Sequence, residues 1–501
     1  VALGDHQFVV VISHPEEKHL KVIEQFLVEL NKEVLIVTHD LKTLCHHHDW
    51  FAQYASSGSV HFFDTMLASY VVNSSQHSHD LITVANTQLH LKLHELPTAY
   101  LSQKEYEYLG EVISLLPSIA ETLMDALKKT QVVSVYEEIE LPLVPVLYRM
   151  EQQGVLLDSD ALAVFSKRLK KQIEQLEKHI RSFAGEEVNV QSPIQLAEVL
   201  FVKLGLPTKG IKKTKTGYST AASELEKLYD QHEIIPLISE FRELAKLQST
   251  YVETLPKLVD TNGRLHTTFN QTVTSTGRLS SSDPNLQNIP IKTELGREIR
   301  RAFVAPANKL LISADYSQIQ LRLAAVIAKD QPFIDAFQTG ADIHTRTASE
   351  VWDVSEHDVT KEQRRAAKAI NFGILYGMGS RALSRSTNLS LIEAKLFIEK
   401  YFEIHHAIRD YLDHTKQSAH EQRFVETLFG RKRYFPEIES GVPMLVAQAE
   451  RMAINMPIQG TEADLMKKAM LVVDDWLRQT QLPAILLLQV HDELVFEVAD
   501  D

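Results

Sequence analysis

Asp315 ends an apolar run from Lys309 to Ala314, and Asp492 with Glu493 sits between two more, Leu486 to Val490 and Leu494 to Val498. A carboxylate at the end of a strand is a recurrent place to hold a metal at a sheet edge. Adjacent carboxylates at a hairpin tip repel, and a divalent cation removes that cost. A helix N-cap for Asp315 and an exposed acidic turn for Asp492-Glu493 are the plainer alternatives. Between these points Arg364, Lys368, Phe372 and Tyr376 recur every four residues. At 3.6 residues per turn such a row drifts by about 40° per step, so it makes one slowly winding stripe. Two cations, a flat aromatic and a phenol beside Gly377 would hold a polyphosphate at one end and a base plane at the other. A solvated basic helix with two core aromatics has the same spacing. With Asp315 and Asp492 on one sheet facing the stripe, the chemistry is phosphoryl transfer by positioning and electrostatics. Mg²⁺ suits one or two carboxylates plus substrate phosphates, and Lys368 and Arg364 would neutralise the outer phosphates.

The elements that must position these residues are legible. Thr360 with Gln363 reads as a capping box, Ala366, Ala367 and Ala369 favour helix, and Gly377 and Gly379 stop it. Ala367, Ile370 and Ile374 lie on another face and can bury it. Lys309 to Ala314 is expected as a buried strand, Tyr316-Ser317-Gln318 as a turn and Ile319 to Ala328 as a helix. Helices are expected from Ser390 to about Gln422, followed by a basic cluster, Arg431-Lys432-Arg433-Tyr434. Arg451, Asn455 and Gln459 make a second polar row, although Pro457 argues against a regular helix there. Thr272 to Pro290 is rich in Ser, Thr, Asn and Gln, as a cleft that takes many neutral hydrogen bonds from phosphates and groove edges would be. Arg297, Arg300 and Arg301 follow it. Lys212 to Thr220 reads as a loop of lysines and hydroxyls around Gly217, a surface loop or a phosphate contact.

At 501 residues about three domains are expected. A net charge of −14 excludes a protein that coats nucleic acid by bulk charge, so any nucleic-acid site is a local basic cleft. The one cysteine, Cys45, rules out an intramolecular disulfide framework, and no apolar run is long enough to span a bilayer. Residues 1–130 alternate strand and helix, with strands at Phe8 to Ile12 and Val34 to Val37 and a buried strand-to-helix unit from Phe62 to Tyr70. His46, His47, His48 and Asp49 read as an exposed turn, since adjacent histidines rarely converge on one ion. From Val132 to Gln248 the pattern is helical, with helices at Tyr136 to Gln152 and Leu162 to Phe183.

Asp315-Tyr316-Ser317-Gln318-Ile319-Gln320-Leu321-Arg322 resembles motif A of the DNA polymerase I family, family A. Arg364 to Gly377 resembles its motif B and Val490-His491-Asp492-Glu493 its motif C, while Thr276 to Ser281 and Arg451 to Gly460 are similar to further family segments. The resemblance implies an α+β, α/β multidomain right hand of palm, fingers and thumb, preceded by a ribonuclease-H-like 3′–5′ exonuclease-type domain. Its parts would be an exonuclease-like domain over 1–130, expected to be inactive, and thumb with connecting helices over 131–259. The palm would cover 260–345 with motif A, the fingers 346–426 with motif B, and the second, C-terminally short palm segment 427–501 with motif C. It implies a DNA-directed DNA polymerase that adds dNTPs to a primer 3′-OH and releases pyrophosphate, in replication and repair, as a Klenow-like large fragment. Asp315, Asp492 and the Tyr316 carbonyl would bind two Mg²⁺, with Mn²⁺ able to substitute and Glu493 as an auxiliary carboxylate. Arg364, Lys368, His344, Gln318 and Gln320 would hold the nucleotide, with Lys368 also as the acid that protonates pyrophosphate. Phe372 would pack on the sugar and Tyr376 near the template base. Arg278, Asn455, Gln459, His491, Arg451 and Lys215 would contact primer–template DNA. The resemblance further implies a monomer with no membrane partner in the cytoplasm, on the bacterial nucleoid or in a phage-infected cell.

The sequence departs from the family at Gln320, where a Glu is usual and helps exclude ribonucleotides. Gln is nearly isosteric but neutral, so a steric gate is expected with a weaker bond to Tyr376 and relaxed sugar or template choice, an RNA template included. It departs again in the first strand, Val9-Val10-Val11-Ile12-Ser13, which lacks the Asp-x-Glu that binds metal in the proofreading domain. Leu44 and Val112 stand near the later Asp positions, so no 3′–5′ exonuclease activity is expected. The chain also starts without the family's 5′-nuclease region and stops soon after motif C, as a large fragment would. A polymerase adapted to RNA templates and a catalytically dead nucleic-acid-binding protein are the competing functions. A single-subunit RNA polymerase is disfavoured by Thr276 to Ser281 and the proofreading-like remnant.

Overall fold

The computed structural model describes residues 2–3, 6–7, 35–94, 103–184, 188–290, 293–387 and 389–500. The strand expected at Phe8 to Ile12 lies outside them. Two compact units are present. The first comprises Val1–Glu151, Phe269–Ser280 and Ser313–Phe496, and the second Gln152–Thr268, Ser281–Ile312 and Glu497–Asp501. Among the described residues no helix is long and apolar enough to cross a membrane.

In the first unit, strands Leu35–Thr38 and His61–Asp64 run parallel. Asp64 follows the buried pair Phe62-Phe63 and caps helix Thr65–Val72, accepting from the Met66 and Leu67 amides, and it also accepts from the Leu41 amide at 2.6 Å. Helices pack over this pair around Leu67, Tyr70, Val84, Leu123 and Tyr136. The cluster at His46 to Asp49 is no simple turn. It closes helix Leu41–His47 and opens helix Asp49–Ser57, and His46 pairs with the buried Glu151 at 2.5 Å. The helix expected from Tyr136 begins as a π-helical turn, Tyr136–Glu140, and continues as Leu141–Gln153.

A second core of this unit gathers Leu321, Phe333, Ile370, Ile374, Tyr401 and Ile454. Helix Lys361–Leu375 lies against it with Ala367 and Ile370 fully buried, as the apolar stripe requires. Its start is the expected capping box between Thr360 and Gln363, and Tyr376 caps its end. Gly377 follows at φ 69°, a conformation that L side chains avoid, and a Cβ there would sit 3.2 Å from the Arg451 stem. The helices after Ser390 run Leu391–Ile404 and His406–Gln422.

Pro457 does not break its segment: one helix runs from Pro443 to Thr480. Proline removes an amide donor and crowds the turn before it. The Tyr411 hydroxyl donates to the Ile454 carbonyl in that turn at 3.1 Å, and Pro457 itself is buried, so packing outweighs the local defect. In the basic cluster Arg431 to Tyr434 the first cation is internal. Arg431 is 1% exposed and bonds Glu140 at 2.5 Å and Asp464 at 2.7 Å, and Lys467 reaches the same Glu140 at 2.6 Å. Two buried cations therefore meet two buried carboxylates. Gly277 lies against this cluster at φ 89°, where a Cβ would stand 2.7 Å from Arg431 Nε.

In the second unit the long helix Ser159–Ala184 and helix Ile234–Leu247 flank a core of Ile180, Leu196, Leu200 and Phe241. Lys212 to Thr220 is not a loop but a hairpin, with Lys213 opposite Tyr218 and Thr214 opposite Gly217. Gly217 at φ 132° and the Thr214 hydroxyl, which donates to the Gly217 carbonyl at 2.9 Å, close it.

Candidate active site

Strands Lys309–Asp315, Glu493–Ala499 and Ala484–Val490 form a three-stranded sheet in that order. The first is an edge strand rather than a buried one: among the described residues it pairs on one flank only, and Leu310 is 50% and Ile312 46% exposed. Asp315 is nevertheless its last residue, as its apolar run implied. The Tyr316 amide donates to the Asp492 carbonyl at 3.0 Å, which ties the strand end to the hairpin tip. His491 turns the tip at φ 56°, and Glu493 accepts from the Ser313 hydroxyl at 2.5 Å. What desolvation Asp315 undergoes, and then the charges of Asp492 and Glu493, push its carboxyl above the ordinary value. A carboxylate raised by its acidic neighbours in this way fits a cation, and Asp315, Asp492 and Glu493 with the Tyr316 carbonyl offer hard oxygen donors. Among the described residues no three His, Cys, Asp or Glu side chains close a cage of their own.

After Asp315 the chain turns through Gln318, at φ 55°, into helix Ile319–Ala328. Gln320, on its first turn, accepts the Tyr376 hydroxyl. This bond joins the strand-end carboxylate segment to the end of the cationic helix. The Tyr316–Asp492 bond joins the same segment to the hairpin. Gln320 also donates through Nε2 to Glu462 at 3.1 Å, and Glu462 accepts from Arg278 at 2.5 Å. Burial, more than any partner, raises the Tyr376 phenol, with the Glu462 charge acting the same way and a bond with Gln459 and the Arg278 charge acting against it.

Arg364 and Lys368 are exposed on helix Lys361–Leu375. Arg364 donates twice to Asp342, at 2.9 and 2.7 Å. Lys368 makes no ion pair or hydrogen bond among the described residues. Phe372 is half-buried with its ring 5.7 Å from that of His344. His344 is only 3% exposed, beside the Asn371 amide at 3.2 Å, and burial drives its pKa down to about 4. It therefore presents no positive charge in this conformation. Arg451, Asn455 and Gln459 do share the helix Pro443–Thr480, and His491 is exposed at the hairpin tip. Lys215 is exposed at the tip of the hairpin in the second unit. Sequence reasoning missed Asp342 and Glu462. Asp342 caps helix Ile343–Trp352 two residues before His344. Glu462 continues the row Asn455, Gln459 by three residues, so helical spacing was the available signal.

The fold is that of a polymerase domain. It superposes with a TM-score of 0.86 on a structure described as the POL domain of Pol1 from M. smegmatis in complex with DNA primer-template and dNTP, at 35% identity over 97% of this chain and 83% of that one. The chain belongs to DNA polymerase family A, whose sequence model matches residues 159–501. It is 46% identical over 435 residues to DNA polymerase I of Caldicellulosiruptor bescii, covering 87% of this chain and 50% of that protein. It is 50% identical over 390 residues to DNA polymerase I of Deinococcus radiodurans, covering 77% of this chain and 40% of that one. The chain thus spans about half the length of the relatives it matches.

Proposed function

We propose that the chain carries out template-directed DNA synthesis, adding dNTPs to a primer 3′-OH with release of pyrophosphate. The observation that carries this is the pair of hydrogen bonds, Tyr316 to Asp492 and Tyr376 to Gln320, that join three distant segments into one site. Asp315, Asp492 and the Tyr316 carbonyl would hold Mg²⁺, with Glu493 beside them. Bound there, the metal would activate the primer hydroxyl and stabilise the leaving oxygen. Lys368 meets the outer phosphates and donates a proton to the leaving pyrophosphate, and Arg364 adds charge once it exchanges Asp342 for phosphate. Phe372 supports the sugar, Gln320 crowds its 2′ carbon and Tyr376 stands beside it near the template base. Arg278, Arg451, Asn455, Gln459 and His491 line the primer–template, with Lys215 gripping the duplex elsewhere. The palm, fingers and thumb boundaries set out above describe the same division of labour, with DNA and dNTPs as partners of a monomer.

The region over 1–130 serves as a buttress without proofreading. Support comes from Leu44 and Val112, which carry no metal-binding atom, the latter 1% exposed. Asp64 and Asp40 are already spent on capping helices. A primer-extension assay with matched and mismatched 3′ ends tests both statements. Asp315→Ala is expected to lower extension at least about a thousandfold while duplex binding persists, and the mismatched end is expected to survive in the parent protein. Undiminished extension by that variant, or trimming of the mismatch, overturns the respective statement.

A further inference from the structure

Among the described residues Glu462 is the one carboxylate that bonds the Gln320–Tyr376 pair, and its side chain is 2% exposed. Its Oε2 takes both the Arg278 guanidinium and the Gln320 Nε2. An amide nitrogen only donates and a carboxylate only accepts, so the contact decides which way round the Gln320 amide lies. Reversed, the amide oxygen would face the Glu462 oxygens across 3.1 Å and lose both of its bonds. As placed, the amide oxygen is free to accept the Tyr376 hydroxyl. The chain of bonds therefore runs Arg278 to Glu462, Gln320 to Glu462 and Tyr376 to Gln320, with every donor matched to an acceptor.

The same geometry states what residue 320 can be. A glutamate there would set a second carboxylate against Glu462, which has Arg278 as its cation partner among the described residues. Like charges at hydrogen-bond distance in a part-buried site repel, and one of them would have to take up a proton or swing away. Glutamine supplies the same length with a donor on one side and an acceptor on the other. We propose that Glu462 is a positioning residue: it orients the Gln320 amide so that Gln320 and Tyr376 stand as a neutral, hydrogen-bonded gate at the sugar of the incoming nucleotide, and it is the reason this chain carries glutamine at position 320. The gate function rests on the polymerase activity proposed above, whereas the coupling between the two side chains does not.

The test is a cycle of Gln320→Glu, Glu462→Gln and the double variant that exchanges them. In the exchanged pair the carboxylate at position 320 accepts from both the amide at position 462 and the Tyr376 hydroxyl, which restores the bonds with the roles reversed. Two quantities are read: the melting temperature, and the ratio of kcat/KM for dNTP to that for rNTP. Against the relaxed sugar choice that a neutral side chain alone would imply, Gln320→Glu is expected to lower Tm by a few degrees and the dNTP preference by about tenfold, the effect of one lost part-buried hydrogen bond. The exchanged double variant is expected to recover most of both. Additive changes in Tm overturn the coupling. Coupled Tm values with an unaltered sugar preference overturn the gate and leave Glu462 a packing residue. If the parent protein extends no primer, the polymerase reading fails, the gate falls with it, and the Tm cycle still decides the coupling on its own.

Discussion

Lys368 and Arg364 begin from different states. Arg364 is held by Asp342, so using it for phosphate requires breaking two hydrogen bonds. Lys368 is exposed and ready. Lys368→Ala is therefore expected to slow single-nucleotide incorporation by about 10²–10³-fold, the usual share of a positioned general acid, in a rapid-quench measurement at saturating dNTP. An unchanged rate would remove Lys368 from the chemistry. The sequence made these residues visible because they repeat at helical spacing and end apolar strands, and both patterns survive without tertiary information. His344 shows where that stops. Nothing in the sequence says that its ring is buried against Asn371 and neutral, because the packing of two helices decides it. Glu462 was hidden for a related reason: its partner Gln320 lies 142 residues away.

Elements were legible where local chemistry agrees with packing. The capping box at Thr360 and the strand ending at Asp315 fall where the sequence puts them. Pro457 was misjudged because its local penalty is outweighed by burial along a helix of 38 residues. The Arg431 to Tyr434 cluster was ambiguous because a run of cations looks the same from sequence whether solvated or paired. In the folded chain burial pushes the Glu140 carboxyl up, but Lys467 and Arg431 outweigh it and leave it below the ordinary value. Removing one cation leaves buried charge without compensation. Arg431→Met is expected to destabilise the protein by about 3–5 kcal/mol, measured by urea denaturation, whereas a change under about 1 kcal/mol would mean that water reaches the cluster.

At the scale of the whole first unit, several titratable groups are buried in the form that acid disturbs. Burial brings the pKa of His39, His79 and His344 down to about 4 from 6.5. Each is neutral in the folded chain while the unfolded chain takes up a proton first. The stability they allow is complete above pH 6.5 and is lost as pH falls towards 4. Asp64, raised by burial to about 6, works in the opposite sense, adding stability as pH falls below that value. One carboxylate does not offset three histidines. Between pH 7.5 and 5 the buried His79 and His344 are expected to cost about 1–2 kcal/mol each, read as a falling Tm, and His79→Gln should flatten the curve. A Tm indifferent to pH in that range would show these rings to be hydrated. The helix Pro443–Thr480 has a consequence of another kind. It carries Gln459 and Glu462 at the gate and Asp464 and Lys467 at the buried ion cluster, within nine positions of one continuous helix. Each residue added or removed turns the remainder of the helix by about 100° and shifts it by about 1.5 Å. Gate and cluster cannot both stay in register after such a change, so this stretch can vary by substitution but not in length.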